Sequence, residues 1–521
     1  YTQFDTLSLH DALPICTERD PVHFYTAEGV YDVSLTVRSA DGANTETKPG
    51  HVTVVGTDGG EGEGEGEGEG EGEGEGEGET TALDDYVNLV DPAYEYEVEA
   101  TYDGDGFTAT VYGLTSQQWM SAIEVYPSTW HHWLSIIVPD VVSSTTALLS
   151  ISDGEYTDGA PDWNTLDNLN VIDVNCANIA IATHSVCAIL KQVPVEPVQF
   201  TDETTPRTED AMIAYTFDKF MTTGNPEWPA LLPMVKSAVR AMDTVQDEVV
   251  SISDFVVSGI SKRGWVTWLT GAVDSRVSAI VPIVFDFLRW DVQMPHQVGC
   301  YGDYTWVLQD YTDANIFDRL GSDEGQDLLD IIDPYRYLDR LTMPKMMING
   351  SSDEFFASDS ARFYVDDLLG ENFMDFVPNA GHGLVPYDSG SNTADEATAT
   401  FGAFYVNFLL DNPMPQVYSS FNNGELYIYP SQLPASAELL KVNNPTGRDF
   451  RLSTLIPLGA AWSSEPIDPV TGSMYQVSMS VPDQGWTAFY VQFSFPSPLG
   501  GTFKLSTPIH VVPDVYPHEE E

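Results

Sequence analysis

Ser261 lies in Gly259-Ile260-Ser261-Lys262-Arg263-Gly264, between the apolar run DFVVSGIS (254–261) and the helix-like KRGWVTWLTGAV. A serine on a sharp strand-to-helix turn stands clear of the sheet, and a glycine two residues earlier removes the side chain that would collide with that turn. Its hydroxyl is a poor nucleophile at neutral pH and needs a general base oriented by an acid. Both types follow, each just past a strand-like run: Asp353 in GSSDEFF after KMMING (345–350), and His382 in NAGHG after NFMDFVP (372–378). Ser261, His382 and Asp353 are therefore expected as nucleophile, base and acid of an acyl-transfer site, with Gly259 and Gly264 shaping the turn. Asp286, after VSAIVPIVF (277–285), is the rival acid. An oxyanion would be met by the N–H of Lys262 at the helix start, where negative charge is favoured. A second donor is expected in the loop after the strand ending near Ser152, at Asp153 or Gly154. His131 and His132, in TWHHWL, read as residues that cap a strand or pack near the site rather than as a base.

The elements that must position these residues alternate between strand and helix. SIIVPD (135–140) and TALLSIS (146–152) read as early strands. EDAMIAYTFDKFM (209–221) and the series Leu231, Val235, Ala238, Met242, Val245 have helical spacing. This alternation argues for an α/β fold with a mostly parallel sheet covered on both faces. The order serine, aspartate, histidine is the one α/β-hydrolases use, so residues 81–412 are read as a domain of that type. The aromatic and acidic stretch from Asp286 to Thr342, with helical pieces, is its expected lid insertion. After Pro413 the helices are expected to stop, and GELYIYP, FRLSTLI, MYQVSMSVP and WTAFYVQFSFP read as strands of a C-terminal β-sandwich over 413–521.

Upstream, Val33, Leu35 and Val37 alternate with polar residues as in a half-buried strand. The pattern H-x-Y-x-x-x-G-x-Y-x-V-x-L-x-V from His23 to Val37 resembles the closing half of a PKD domain, a secreted immunoglobulin-like module; about half of it is present, over 16–56. Such a module could contact a surface polymer. From Gly59 to Glu79 the chain is glycine and glutamate alone, with ten glutamates and nothing apolar to bury, so 57–80 is expected to be a disordered linker. Residues 1–15, YTQFDTLSLHDALPI, look like translated sequencing-adapter DNA and are set aside. The chain begins at Tyr1 rather than Met, and its natural start is expected upstream.

Composition narrows the partners. Lys and Arg number 21 against 80 Asp and Glu, a formal charge of −59, which would repel nucleic acid and anionic lipid surfaces. No run of about 18 apolar residues exists to span a membrane. Cys16, Cys176, Cys187 and Cys300 are too few and scattered for a disulfide framework or a zinc site. Cys176 and Cys187 are read as isolated buried thiols, with a bridge between them open in an oxidising compartment. No motif calls for a metal or cofactor.

Several ordered blocks resemble the PhoPQ-activated pathogenicity-related protein family, which includes autocrine proliferation repressor proteins. They are HHWLSIIVP, LKQVP, the R-x-E-D-A-x-I-A-Y-T-x-D-K-F run from Arg207 to Phe220, GISKRGWVTWLTGAVDSRVSAIVPIV, IIDPYRYLDRLTMPKMMING, FYVDDL, FVPNAGHGL, GRDFRL and GWTAFYV, spread over about residues 85 to 515. The resemblance implies an α/β-hydrolase-like fold with Ser261 as its serine, without fixing a reaction. Arg263 departs from the usual G-x-S-x-G, and a guanidinium there must find room or a carboxylate partner. S-[KR]-x-G also resembles glucuronoyl esterases, in which the basic residue after the serine assists the oxyanion; Lys262 could act so or simply face solvent. Two functions remain in view, a secreted serine hydrolase acting on a small-molecule, glycan-ester or peptide substrate, and a non-catalytic surface protein using the fold for recognition. Either would sit outside the cell, in the periplasm or on the cell surface.

Overall fold

The structure, a computed structural model, describes residues 3–8, 29–39, 42–54, 80–154, 171–387 and 390–518. The chain divides into two compact units, Tyr1–Gly78 and Glu79–Glu521. In the first, Gly29–Ser39 and Gly42–Val54 form an antiparallel hairpin, with Val30 opposite Thr53 and Val37 opposite Asn44. Gln3–Ser8, set aside above, pairs antiparallel with Gly29–Ser39. An open edge accepts any extended chain, so this pairing does not bear on the segment's origin. The first part of the PKD-like pattern and the glycine–glutamate run lie outside the described residues.

The second unit is built on nine strands: β1 (Glu95–Gly104), β2 (Phe107–Gln118), β3 (Thr129–Pro139), β4 (Thr146–Ile151), β5 (Cys187–Leu190), β6 (Asp254–Ile260), β7 (Val277–Ile283), β8 (Lys345–Gly350) and β9 (Asn372–Val377). Their order is β9-β8-β7-β6-β4-β5-β3-β2-β1. From β5 through β4 to β9 the neighbours run parallel, and β1, β2 and β3 pair antiparallel. This is the α/β fold with a mostly parallel central sheet that was expected. The near-continuous apolar sequences of β6, β7 and β8 follow from burial on both faces. Spacing alone does not reveal β1, an edge strand whose alternation is diluted by glutamate and tyrosine, nor β2, which lies between β1 and β3.

Helix α1 (Val171–Thr183) precedes β5, and α2 (Glu209–Thr223) and α3 (Leu231–Glu248) precede β6. α4 (Lys262–Val273) follows β6 after one residue, burying Trp265, Val266, Trp268 and Leu269. Cys176 of α1 and Cys187 of β5 form a disulfide, their Cα atoms 5.9 Å apart. The favoured reading of isolated thiols is thus corrected: α1 packs on the strand it leads into, which brings the two together. The insertion carries α5 (Trp290–Tyr301), α6 (Gln309–Asp313) and α7 (Asp323–Ile332). The buried Asp333 carboxylate stitches its ends, accepting from the N–H groups of Arg289, Trp290 and Tyr335.

Helix α8 (Asp395–Leu409) precedes the C-terminal sheets. One holds β10 (Val417–Asn422), β11 (Glu425–Pro430) and β14 (Tyr475–Ser478). The other holds β12 (Ser436–Asn444), β13 (Ser463–Pro466), β15 (Trp486–Pro496), β16 (Thr502–Ser506) and β17 (His510–Val512). Phe421 meets Phe489 at 5.4 Å and Tyr475 meets Phe493 at 5.1 Å between the sheets, so these aromatics are core. The segment FRLSTLI is not a strand: Leu452–Leu458 is a short helix, α9. The expectation that helices end at Pro413 is corrected accordingly. Gln492 bonds Asp375 of β9 at 3.0 Å and Tyr490 bonds the Phe376 carbonyl at 2.9 Å, so the second sheet packs on the edge of the first domain.

Candidate active site

The turn between β6 and α4 holds Ser261 at φ 62° and ψ −127°, a conformation L-residues rarely adopt and one stored only where the surroundings enforce it. Its N–H donates to the Ile283 carbonyl of β7 at 2.8 Å, and its own carbonyl accepts from Trp265 at 3.1 Å. A Cβ at Gly259 would lie 2.5 Å from the Arg263 carbonyl oxygen, and one at Gly264 would lie 2.9 Å from that of Ile283. Both glycines are therefore required by close backbone approach, one within the turn and one where the helix meets β7.

His382 places Nε2 2.8 Å from Ser261 Oγ and Nδ1 2.8 Å from Asp353 Oδ2. The other oxygen of Asp353 accepts the Phe355 N–H at 2.8 Å, which fixes the carboxylate. The Phe355 ring lies against the imidazole at 4.2 Å, and Glu354 accepts the His382 main-chain N–H at 3.3 Å. Asp286, the rival acid, is fully buried and hydrogen-bonded to the Tyr364 hydroxyl instead. Burial pushes its carboxyl up to about 7, against the pull of that hydrogen bond. His132 is also buried, with its ring nitrogens on Ser116 Oγ and on the Lys191 and Gln192 carbonyls. Desolvation lowers it to about 3, so it stays neutral. His131 packs on Trp133 at 5.1 Å. Both histidines are packing residues.

Above Ser261 opens a cavity of about 360 Å³ whose lining includes Ser152, Asp153, Lys262, Phe355 and His382. Of the two loop residues expected to stabilise an oxyanion, Asp153 lines this cavity and Gly154 does not. As the first residue of α4, Lys262 has a main-chain N–H with no acceptor inside the helix. Lys262 and the start of the loop after β4, at Ser152 and Asp153, line the same cavity as the serine.

The side chains after the serine follow neither reading offered for them. Lys262 is 8% exposed, and its Nζ pairs with Glu209 and, at 3.4 Å, with Asp210. It neither faces solvent nor points free toward an oxyanion. Arg263, 6% exposed, donates to Glu209 at 2.8 Å and 3.3 Å and to the Val193 carbonyl at 2.6 Å. The carboxylate partner that a guanidinium needed there is Glu209. Burial opposes the charge on Glu209, yet Arg263 and Lys262 together hold its carboxyl well below the usual range. Glu196 accepts the Glu209 N–H at 2.6 Å. Its own carboxyl is raised to about 8, by burial first, then by a side-chain hydrogen bond to Glu209 and by that carboxylate's charge. Within the R-x-E-D-A run, Glu209 and Asp210 carry no local pattern that marks them as site residues. Two adjacent cations beside a buried turn were the signal that acidic partners must exist.

A family model for the PhoPQ-activated pathogenicity-related protein matches residues 83–451. The chain belongs to this family. A PhoPQ-related relative, autocrine proliferation repressor protein A of Dictyostelium discoideum, is 33% identical over 469 residues, covering 84% of this chain and 92% of that protein. Solved structures are more distant. Acetyl xylan esterase 1 from Thermoanaerobacterium sp. JW/SL YS485 is 16% identical with a TM-score of 0.42, over 64% of this chain and 94% of that one. A glucuronoyl esterase from Solibacter usitatus is 14% identical with a TM-score of 0.36, over 55% and 77%. Among the described residues of this PhoPQ-related chain no helix is long and apolar enough to cross a membrane, and no cluster of His, Cys, Asp and Glu is arranged to hold a metal ion.

Proposed function

We propose that this PhoPQ-related protein is a serine hydrolase that cleaves carboxylic esters through Ser261, His382 and Asp353. The observation that carries the reading is the unbroken hydrogen-bonded line from Asp353 through His382 to Ser261 Oγ, ending at an open cavity. Ser261 Oγ attacks the ester carbonyl while His382 Nε2 takes its proton, and Asp353 holds the tautomer and steadies the imidazolium. The Lys262 N–H and the loop at Asp153 receive the negative charge that develops on the carbonyl oxygen. His382 then returns the proton to the leaving alkoxide, and a water molecule, activated by the same histidine, releases the acid from the acyl-serine. A location outside the cytosol goes with this reading, supported by the disulfide between Cys176 and Cys187. The test is labelling of the full chain with an uncharged alkyl fluorophosphonate, followed by peptide mapping. The label is expected on Ser261 and absent from Ser261→Ala. An unlabelled, folded wild-type protein would leave the fold as a recognition scaffold.

A further inference from the structure

The cavity over Ser261 has two positively charged side chains in its lining, Lys262 and Arg263, and both are ion-paired with Glu209, which lines it too. Standing beside the first turn of a helix, two such cations would otherwise form a ready seat for a carboxylate. Glu209 occupies that seat from within the chain. It is held there, since its main-chain N–H is fixed on Glu196 at 2.6 Å. Asp210 adds a second carboxylate 3.4 Å from Lys262 Nζ and is itself held by the Tyr311 hydroxyl at 2.9 Å. Asp153 is exposed in the cavity lining and contributes another negative charge. Asp353 lies directly behind His382. An anionic substrate thus meets no unpaired cation in that lining, and it approaches a chain whose formal charge is −59.

We infer that Glu209 is a specificity-determining residue, which reserves the site for esters bearing no negative charge near the scissile bond. This rests on the serine-hydrolase reading of the same site and names its substrate class as uncharged esters. Discrimination of this kind works by occupying the attractive groups and presenting like charge to the wrong ligand. With its carboxylate removed, Lys262 and Arg263 become available to an incoming anion.

The experiment compares two fluorophosphonates of equal length, one ending in an uncharged amide and the other in a carboxylate, by their second-order rates of labelling Ser261 in the full chain. The wild type is expected to react at least about tenfold faster with the amide, because like charges in a partly desolvated site are costly. The preference should shrink several-fold in 1 M salt, which screens charge within about 3 Å. Glu209→Gln should bring the two rates together or favour the carboxylate, and Asp210→Asn should move them part of the way. Should Glu209→Gln fail to fold, the wild-type ratio, its salt dependence and Asp210→Asn still decide. Equal wild-type rates, or faster labelling by the carboxylate, would overturn the inference and leave the hydrolase reading intact. Absence of labelling by either probe would instead overturn the hydrolase reading.

Discussion

Among the described residues of the second unit are two histidine–aspartate pairs of nearly the same geometry, one partly exposed and one buried, and their surroundings set them apart. His382 meets Asp353 at 2.8 Å, and His296 meets Asp359 at 3.0 Å. The far nitrogen of His382 reaches a serine hydroxyl below an open cavity, and its side chain is 22% exposed. The far nitrogen of His296 reaches the Tyr516 hydroxyl at 3.0 Å, with the side chain 1% exposed. Asp359 also takes Arg448 at 2.6 Å and Arg362 at 3.3 Å, and both arginines pair with Asp514. This second pair ties the insertion helix α5 to the loop after β12 and to the tail beyond the C-terminal strands. The neighbouring Cys300 thiol, pushed up by burial, remains protonated. An imidazole–carboxylate pair becomes a general base only where its free nitrogen finds a nucleophile with room for a substrate; closed on all sides, it is a rivet.

The largest effect that could break this contrast is on turnover. Ser261→Ala or His382→Ala should lower ester hydrolysis by about 10⁴-fold or more while leaving the thermal midpoint nearly unchanged, and Asp353→Asn should come close to them. Steady-state assays beside calorimetry check this, and a large loss of midpoint in Ser261→Ala would place these residues with the rivet. The reverse is expected at the other pair. Asp359→Asn takes from Arg448 its buried carboxylate partner, leaving it only the half-exposed Asp514, and should cost about 3 kcal/mol of stability in a denaturant titration, with the activity of the folded fraction retained.

Acid titration sharpens the same contrast. Burial raises the Asp359 carboxyl, but His296, Arg448 and Arg362 more than offset this and hold it well below the usual range. A depressed folded value means the stabilisation is present above the unfolded value of about 3.9 and is lost as pH falls through the folded one. Wild type should therefore lose stability below about pH 4, with a flatter acid limb in Asp359→Asn. The smallest effect is expected at Asp286, raised to about 7 by burial. Here the folded state keeps a proton the unfolded chain has released, so stability falls as pH rises from about 4 to about 7 and then levels. Asp286→Asn should gain on wild type across that window, followed by chemical denaturation at several pH values, with turnover unchanged.

Much of the candidate site was legible because each member sits in a local pattern. Ser261 lies where an apolar run stops and a helix starts, and Asp353 and His382 each follow the end of a buried strand. Glu209 carries no such mark: it begins a helix 52 residues before Ser261, and only the packing of α2 against the turn brings its carboxylate to Lys262 and Arg263. The sequence favours free thiols over the disulfide for a related reason, since an 11-residue separation is compatible with many arrangements of Cys176 and Cys187. FRLSTLI reads as a strand because its apolar residues fit both periods over so short a run; the structure makes it helix α9 beside the first domain, with the Leu452 N–H on the Ser352 carbonyl.

The amino-acid sequence by itself determined the α/β architecture, the elbow with its two glycines, and the chain order of serine, acid and base. These depend on hydrophobic period and on backbone sterics, which act over a few residues and are written where they act. Tertiary structure alone decided which of two acids holds the histidine, which carboxylate neutralises the cations beside the serine, and which of two histidine–aspartate pairs opens onto a cavity. Those outcomes depend on distances between side chains far apart in the chain, and on whether water reaches them. Charge and hydrogen-bond strength change steeply with both, and neither is set until the strands and helices have packed.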